Sequence, residues 1–347
     1  MKTVPRYHIT PILEVVVLAM LLITPLLASR FITISLTPIL ILAMLAISFD
    51  LCWGYTGILS FGQGFFFGIG GYPVALLINK AQLLNFYALS AAAILSGIII
   101  AGLFGVFLFF GSTRQGIFIA LSTLALSYLG ERLFNGWFWV GAANGQNIWE
   151  VVSVMGIELN PGISFYYFIL FLLAVTYLLC RFVVKSQLGL VLSGVRQNEE
   201  RLDFLGYRIQ VPKFLIFVFA AAIAGFAGGL YSLHEAFVGP TYIGWVFSTF
   251  AALYCIFGGS GTLIGPIIGT LAIELGRLYL TDIEEIRAYW QIVLGLLMIG
   301  VIVFRPTGIV GFIISEKERI GYFGYKVSKW RFRKKWAQKA SMEGPKI

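Results

Sequence analysis

Ten apolar runs separated by short polar breaks constrain this chain more than any other feature. They lie near residues 10–29, 31–52, 61–79, 86–110, 116–133, 163–184, 213–234, 245–258, 263–280 and 288–304. A helix of ~20 apolar residues spans the hydrocarbon core of a bilayer. Within lipid, only helices and closed barrels satisfy every backbone polar group. These runs are continuous rather than alternating, which argues against a barrel. The expected fold class is all-α: a polytopic integral membrane protein with about ten transmembrane helices, or about eight if the Gly-rich segments are re-entrant. A mean hydropathy of +0.89 with 12% charged residues excludes an ordinary soluble protein.

Charge placement supports the count. With the N-terminus inside, the inner segments collect Lys2, Arg6, Arg114, Arg181, Lys185, Arg196, Arg201, Arg208, Lys213, Arg305 and the tail. The outer segments hold Arg30, Lys80, Arg132, Arg277 and Arg287. Such a bias predicts that both termini are cytoplasmic. One transmembrane domain over residues 1–312 is expected, followed by a basic cytoplasmic tail over 313–347, with ten Lys and Arg against three acids. A basic tail after a last span fixes topology on anionic lipid and does not point to nucleic acid. The first run follows Lys2 and Arg6, but the second run begins at Phe31 with no small-x-small cleavage site between them, so a retained span is expected. Cys52, Cys180 and Cys255 lie in apolar surroundings without metal spacing and read as buried free thiols.

Two Gly-rich stretches interrupt the apolar pattern. In 53–72 (WGYTGILSFGQGFFFGIGGY), Ser60, Gly64 and Gly68 recur every four residues. That spacing puts small residues on one helix face and lets helix backbones approach closely. Gly54, Gly57 and Gly62 predict an irregular lead into that helix, and Thr56, Ser60 and Gln63 add polar groups. The stretch therefore reads either as close packing or as part of a translocation path. In 258–269 (GGSGTLIGPIIG), Gly261, Gly265 and Gly269 repeat the spacing, and Pro266 removes a backbone donor near the start of a span. Broken helices of this kind line solute paths in transporters. Ten spans also admit a five-plus-five inverted repeat, although the two Gly-rich stretches do not fall at equivalent positions in the halves.

The charged segment 195–213 (VRQNEERLDFLGYRIQVPK) divides the seventh run from the sixth. It is too charged for lipid and too short for a domain, so it reads as a cytoplasmic contact surface or as a loop that only fixes orientation. The outer segment 134–162 carries Trp137, Trp139 and Trp149 but no Lys or Arg. It reads as an aromatic belt or as a ledge for an external protein. Glu274 and Arg277 are one helical turn apart and can pair; Asp50 sits near an inner end, and Glu131 and Arg132 near an outer one. The chain has no phosphate-binding Gly-rich loop, no His-Glu-x-x-His and no Cys/His cluster, so no catalytic residue, metal site or cofactor is expected.

Four motifs in order resemble the permeases of branched-chain amino-acid importers driven by ATP-binding-cassette ATPases, specifically the LivM-like branch. They are DLCWGYTG from Asp50 with SFGQG from Ser60 and FGIGGY from Phe67; RQNE from Arg196 through Leu205-Gly206; AGFAG from Ala224; and GGSGTLIGP from Gly258, followed by FRPTGIVG from Phe304. The resemblance covers roughly residues 31–312. It implies a bacterial or archaeal inner-membrane permease working by alternating access, with ATP bound on separate subunits. The implied partners are a second permease, two cytoplasmic ATPases and an extracytoplasmic solute-binding protein. It also implies that Arg196, Asn198, Glu199, Arg201 and Gly206 belong to the ATPase-coupling loop. The segments around Phe204–Tyr207 and Asp50 are similar to urea-importer permeases, so a urea or short-amide importer is the alternative. An ion-coupled secondary transporter is the rival from another class, and it requires membrane-depth acids without partners.

Overall fold

A computed structural model describes residues 9–111, 116–154, 157–158, 161–281, 289–304 and 308–312. Lys2, Arg6, Arg114, Arg287, Arg305 and the tail from 313 lie outside the described residues. Every one of the ten apolar runs is a helix. In chain order the helices are α1 (Ile9–Leu27), α2 (Arg30–Thr56), α3 (Gln63–Ala81), α4 (Phe86–Phe110), α5 (Gly116–Gly136), α6 (Ile163–Lys185), α7 (Gln187–Gln197), α8 (Glu199–Phe204), α9 (Gln210–Glu235), α10 (Trp245–Gly258), α11 (Ile264–Thr281) and α12 (Trp290–Phe304). Among the described residues, α2, α4, α5, α6 and α9 are long and apolar enough by themselves to cross a membrane. The remaining structure consists of 3-10 turns and two-residue strand pairs. Gln146–Asn147 pairs antiparallel with Phe237–Val238, which ties the 137–154 segment to the end of α9.

Helix ends follow local chemistry. Asn85 caps α4 by accepting from the Tyr87 N–H at 2.9 Å. Gly57 closes α2 in the left-handed conformation (φ 76°), where its N–H reaches back to the Cys52 and Trp53 carbonyls. Helix α2 is the axis of the molecule: residues 39–52 are buried on every side, with α6, α9, α10 and α11 packed around it. A helix apolar all round demands such a position. On one flank α3, α4 and α9 pack almost backbone to backbone. A Cβ on Gly70 would collide with the Gly225 carbonyl, and one on Gly228 with the Phe67 carbonyl. Small residues permit this approach, and dispersion across the contact then replaces lipid. Phe66, Phe109 and Phe217 fill the space beside the contact, with ring centroids 5.5 Å apart in each edge-on pair.

Candidate functional site

The α2–α3 connection, the α10–α11 connection and the short helices α7 and α8 meet at one end of the bundle. Both connections are breaks in the helical ladder, so their backbone groups need partners. At the first break, Phe61 N–H donates to Thr123 Oγ1 at 3.0 Å, and Gly64 N–H donates to Ser248 Oγ at 2.8 Å. Ser127 Oγ donates to the Phe61 carbonyl at 2.7 Å. Gln63 is fully buried, accepts from Ser48 Oγ at 3.2 Å and donates to Cys52 Sγ at 3.6 Å. Most of the polar groups at this break are thus occupied by α2, α5 and α10.

Two details of the expected geometry change. Gly54 is helical, inside α2, and only 57–62 is irregular. Ser60 precedes α3, so it does not share a helix face with Gly64 and Gly68; its hydroxyl accepts from Gly62 N–H at 3.4 Å. Gly64 faces Ser248 and Gly68 faces Ile243, both without room for a Cβ. Gly64 and Gly68 are thus close packing contacts.

The second break, 259–263, is a turn with three left-handed residues: Gly259 (φ 118°), Gly261 (φ 76°) and Leu263 (φ 58°). Gly261 therefore lies outside α11. Gly265 and Gly269 lie within it and face α10, where added Cβ atoms would strike the backbone of residues 254, 258 and 259. Thr262 bonds the turn internally, donating to the Gly259 carbonyl at 2.8 Å and accepting from Gly265 N–H at 3.0 Å, and Asp50 ties it to α2. The Asp50 carboxylate is fully buried and accepts from Gly261 N–H at 2.6 Å, Leu263 N–H at 3.1 Å and Cys255 S–H at 3.3 Å. Burying a carboxylate is costly unless donors surround it, and this one has three.

The segment expected to contact an ATPase is two helices. Arg196 lies in the last turn of α7, and Asn198 caps α8 by accepting from Arg201 N–H at 2.9 Å. Gly206 (φ 82°) turns the chain towards α9. Arg196 reaches inward and donates to the Gly54 carbonyl in the last turn of α2. Glu199 pairs with Lys213 of α9, which is buried. Arg201 remains on the exposed side. Beside it Phe204 is 91% exposed and Leu205 is 67% exposed. The sequence signal for these apolar residues was an FLGY run inside a charged segment.

Two further acids within the helices are partnered. Glu274 accepts from Tyr254 OH and pairs with Arg277 at 2.7 Å, as the spacing predicted. Glu14 of α1 pairs with Arg181 and accepts from Tyr177 OH at 2.8 Å. That contact escaped sequence reasoning because its partners are far apart in the chain. Among the described residues no cluster of His, Cys, Asp or Glu could hold a metal ion.

A helix bundle built on small-residue contacts, with two broken helices and an exposed charged arm at one end, defines a polytopic membrane protein of the permease class. The chain belongs to the family described as branched-chain amino acid transport system / permease component, whose model matches residues 31–302. It is a transport permease and not an enzyme. Its relatives include the high-affinity branched-chain amino acid transport system permease protein LivM of Escherichia coli K12, 26% identical over 311 residues covering 82% of this chain and 71% of the relative. The permease protein LivH of the same system in Salmonella typhimurium is 25% identical over 292 residues, 78% of this chain and 91% of the relative. A probable LivM of Methanocaldococcus jannaschii is 22% identical over 313 residues, 77% of this chain and 89% of the relative. No solved structure matches the chain at a significant level.

Proposed function

We propose that this protein imports branched-chain amino acids as one permease of a pair, driven by ATPases that dock on α7 and α8. The observation that carries the reading is the family match, whose range of residues 31–302 takes in both helix breaks and the arm. Similarity to LivM and to LivH alike supports a paired permease, since the two are separately named components. The exposed Phe204, Leu205 and Arg201 offer an apolar centre with a charged rim, a composition suited to a protein groove. Both termini and the arm face the cytoplasm of a bacterial or archaeal inner membrane, and the basic tail lies along anionic lipid. The opposite end carries the 137–154 segment, on which a solute-binding protein docks. Alternating access then follows if binding protein outside and ATP inside favour different arrangements of the same helices. The ion-coupled rival is disfavoured, because Glu14, Asp50 and Glu274 all have partners.

The test is uptake by proteoliposomes holding both permeases, both ATPases and the binding protein. Leucine, isoleucine and valine should accumulate only with ATP inside, and urea should not. Uptake of urea alone would move the protein to the amide branch. Uptake without ATPases that collapses with the proton gradient would overturn the reading.

A further inference from the structure

We infer that Asp50 is a positioning residue for transport: it holds the 259–263 turn in one arrangement, and Arg196 couples that arrangement to the position of α7. The inference rests on the importer reading above and adds the route by which the arm reaches the helix core.

Three observations converge on it. The first is the turn itself. Left-handed backbone is disfavoured for L-residues with side chains, yet Leu263 adopts it at φ 58° between two left-handed glycines and α11. Such a conformation persists only where its surroundings impose it. The second is what imposes it. The Asp50 carboxylate takes both Gly261 and Leu263 N–H groups, and it folds over Gly54, where a Cβ would overlap the carboxylate and Gly261 N. The third is Arg196. Its guanidinium donates to the Gly54 carbonyl, one helical turn beyond Asp50, and a Cβ on Gly261 would lie 2.9 Å from Nη1. One cation therefore touches both the end of α2 and the turn. A positive charge also suits the C-terminal end of a helix, so the contact is reinforced by the α2 dipole.

Arg196 sits in the last turn of α7, and α8 is tied separately to α9 through Glu199 and Lys213 at 2.5 Å. A displacement of the arm that withdraws Arg196 frees the Gly54 carbonyl and removes the cation beside the turn. The turn then keeps its link to α2 only through Asp50, beside its internal Thr262 bonds to Gly259 and Gly265, and the α10–α11 hairpin it joins can move. Coupling needs an element with two arrangements that both sites bias; we assign that role to the turn, whose left-handed Leu263 is tied to α2 by Asp50 and neighboured by Arg196. A carboxylate that merely capped the turn would stabilise the protein without altering the link between ATP hydrolysis and uptake.

The experiment uses the complete importer in proteoliposomes, with Asp50→Asn, Arg196→Lys and the double variant. ATP hydrolysis is measured with and without loaded binding protein, and uptake is measured per ATP consumed. Each single variant should hydrolyse ATP without binding protein and lose about tenfold in uptake per ATP, a size typical of coupling between sites. The double variant should resemble the worse single, because residues acting through one contact are not additive. Wild-type uptake per ATP in both single variants would overturn the inference. If Asp50→Asn fails to reach the membrane, Arg196→Lys decides by itself: full coupling there also overturns it. Should the wild type show no ATPase response to binding protein, the importer reading fails instead, a result distinct from either.

Discussion

A buried glycine in this bundle is a distance constraint between backbones. Gly228 lies against the Phe67 carbonyl and Gly265 against the backbone of residues 258 and 259. Gly228→Leu and Gly265→Leu should each destabilise by about 3 kcal/mol or more, since overpacking a tight contact forces backbone shifts. Leu296→Ile, on a side chain 65% exposed on α12, should cost under about 1 kcal/mol. Membrane abundance and the thermal transition of the purified protein check the contrast; equal stability in all three would remove the case for privileged glycine faces. The Glu199–Lys213 pair makes a second prediction. Lys213 is buried and Glu199 is not, so the pair contributes no more than about 1 kcal/mol to stability. Glu199→Lys sets two cations together and should sharply reduce ATP hydrolysis stimulated by binding protein. The exchanged pair, Glu199→Lys with Lys213→Glu, should recover most of it. No recovery in the exchanged pair would mean that Glu199 acts on the partner and not on Lys213.

The arm is the element whose surface matters most to partners. Helix α8 has six residues and depends on its Asn198 cap and on packing against α7, since so short a helix is unstable in isolation. Its Phe204 is 91% exposed, which a solvated loop that only fixes orientation would not require. Phe204→Ala should weaken retention of the ATPase by about 2 kcal/mol, or roughly thirtyfold, the scale of an interface anchor. Co-purification over a detergent wash series measures it. Unchanged retention would assign Phe204 to lipid headgroups. Gly206→Leu tests the same element through its backbone, because φ 82° strains any side chain there.

At the scale of the whole molecule, the two ends differ in kind. One end gathers both helix breaks and the arm; the other gathers the Trp-rich segment, where Lys80 lies 3.6 Å over the Trp139 ring. A membrane-impermeant thiol reagent applied to intact cells should label a cysteine placed at Trp149 and spare one placed at Gln197. The native thiols Cys52, Cys180 and Cys255 are buried and leave a quiet background. Labelling at Gln197 from outside would invert the proposed orientation.

Helix existence was legible in the sequence because lipid leaves a chain few choices: long apolar runs must satisfy their own backbone, and each of the ten does so. The Glu274–Arg277 pair was equally legible, since both residues sit on one helical turn. The arm was recognisable from its charge and its motif, but its inner and outer faces were not. Which side of a short helix meets protein depends on neighbours supplied by α2 and α9. The role of Asp50 was hidden for the same reason. Its donors Cys255, Gly261 and Leu263 lie more than two hundred residues away in the chain, and no spacing rule relates them. Local sequence determined which segments are helices and where they break; tertiary packing decided which groups complete each break, because a broken helix leaves donors that only a neighbour can satisfy.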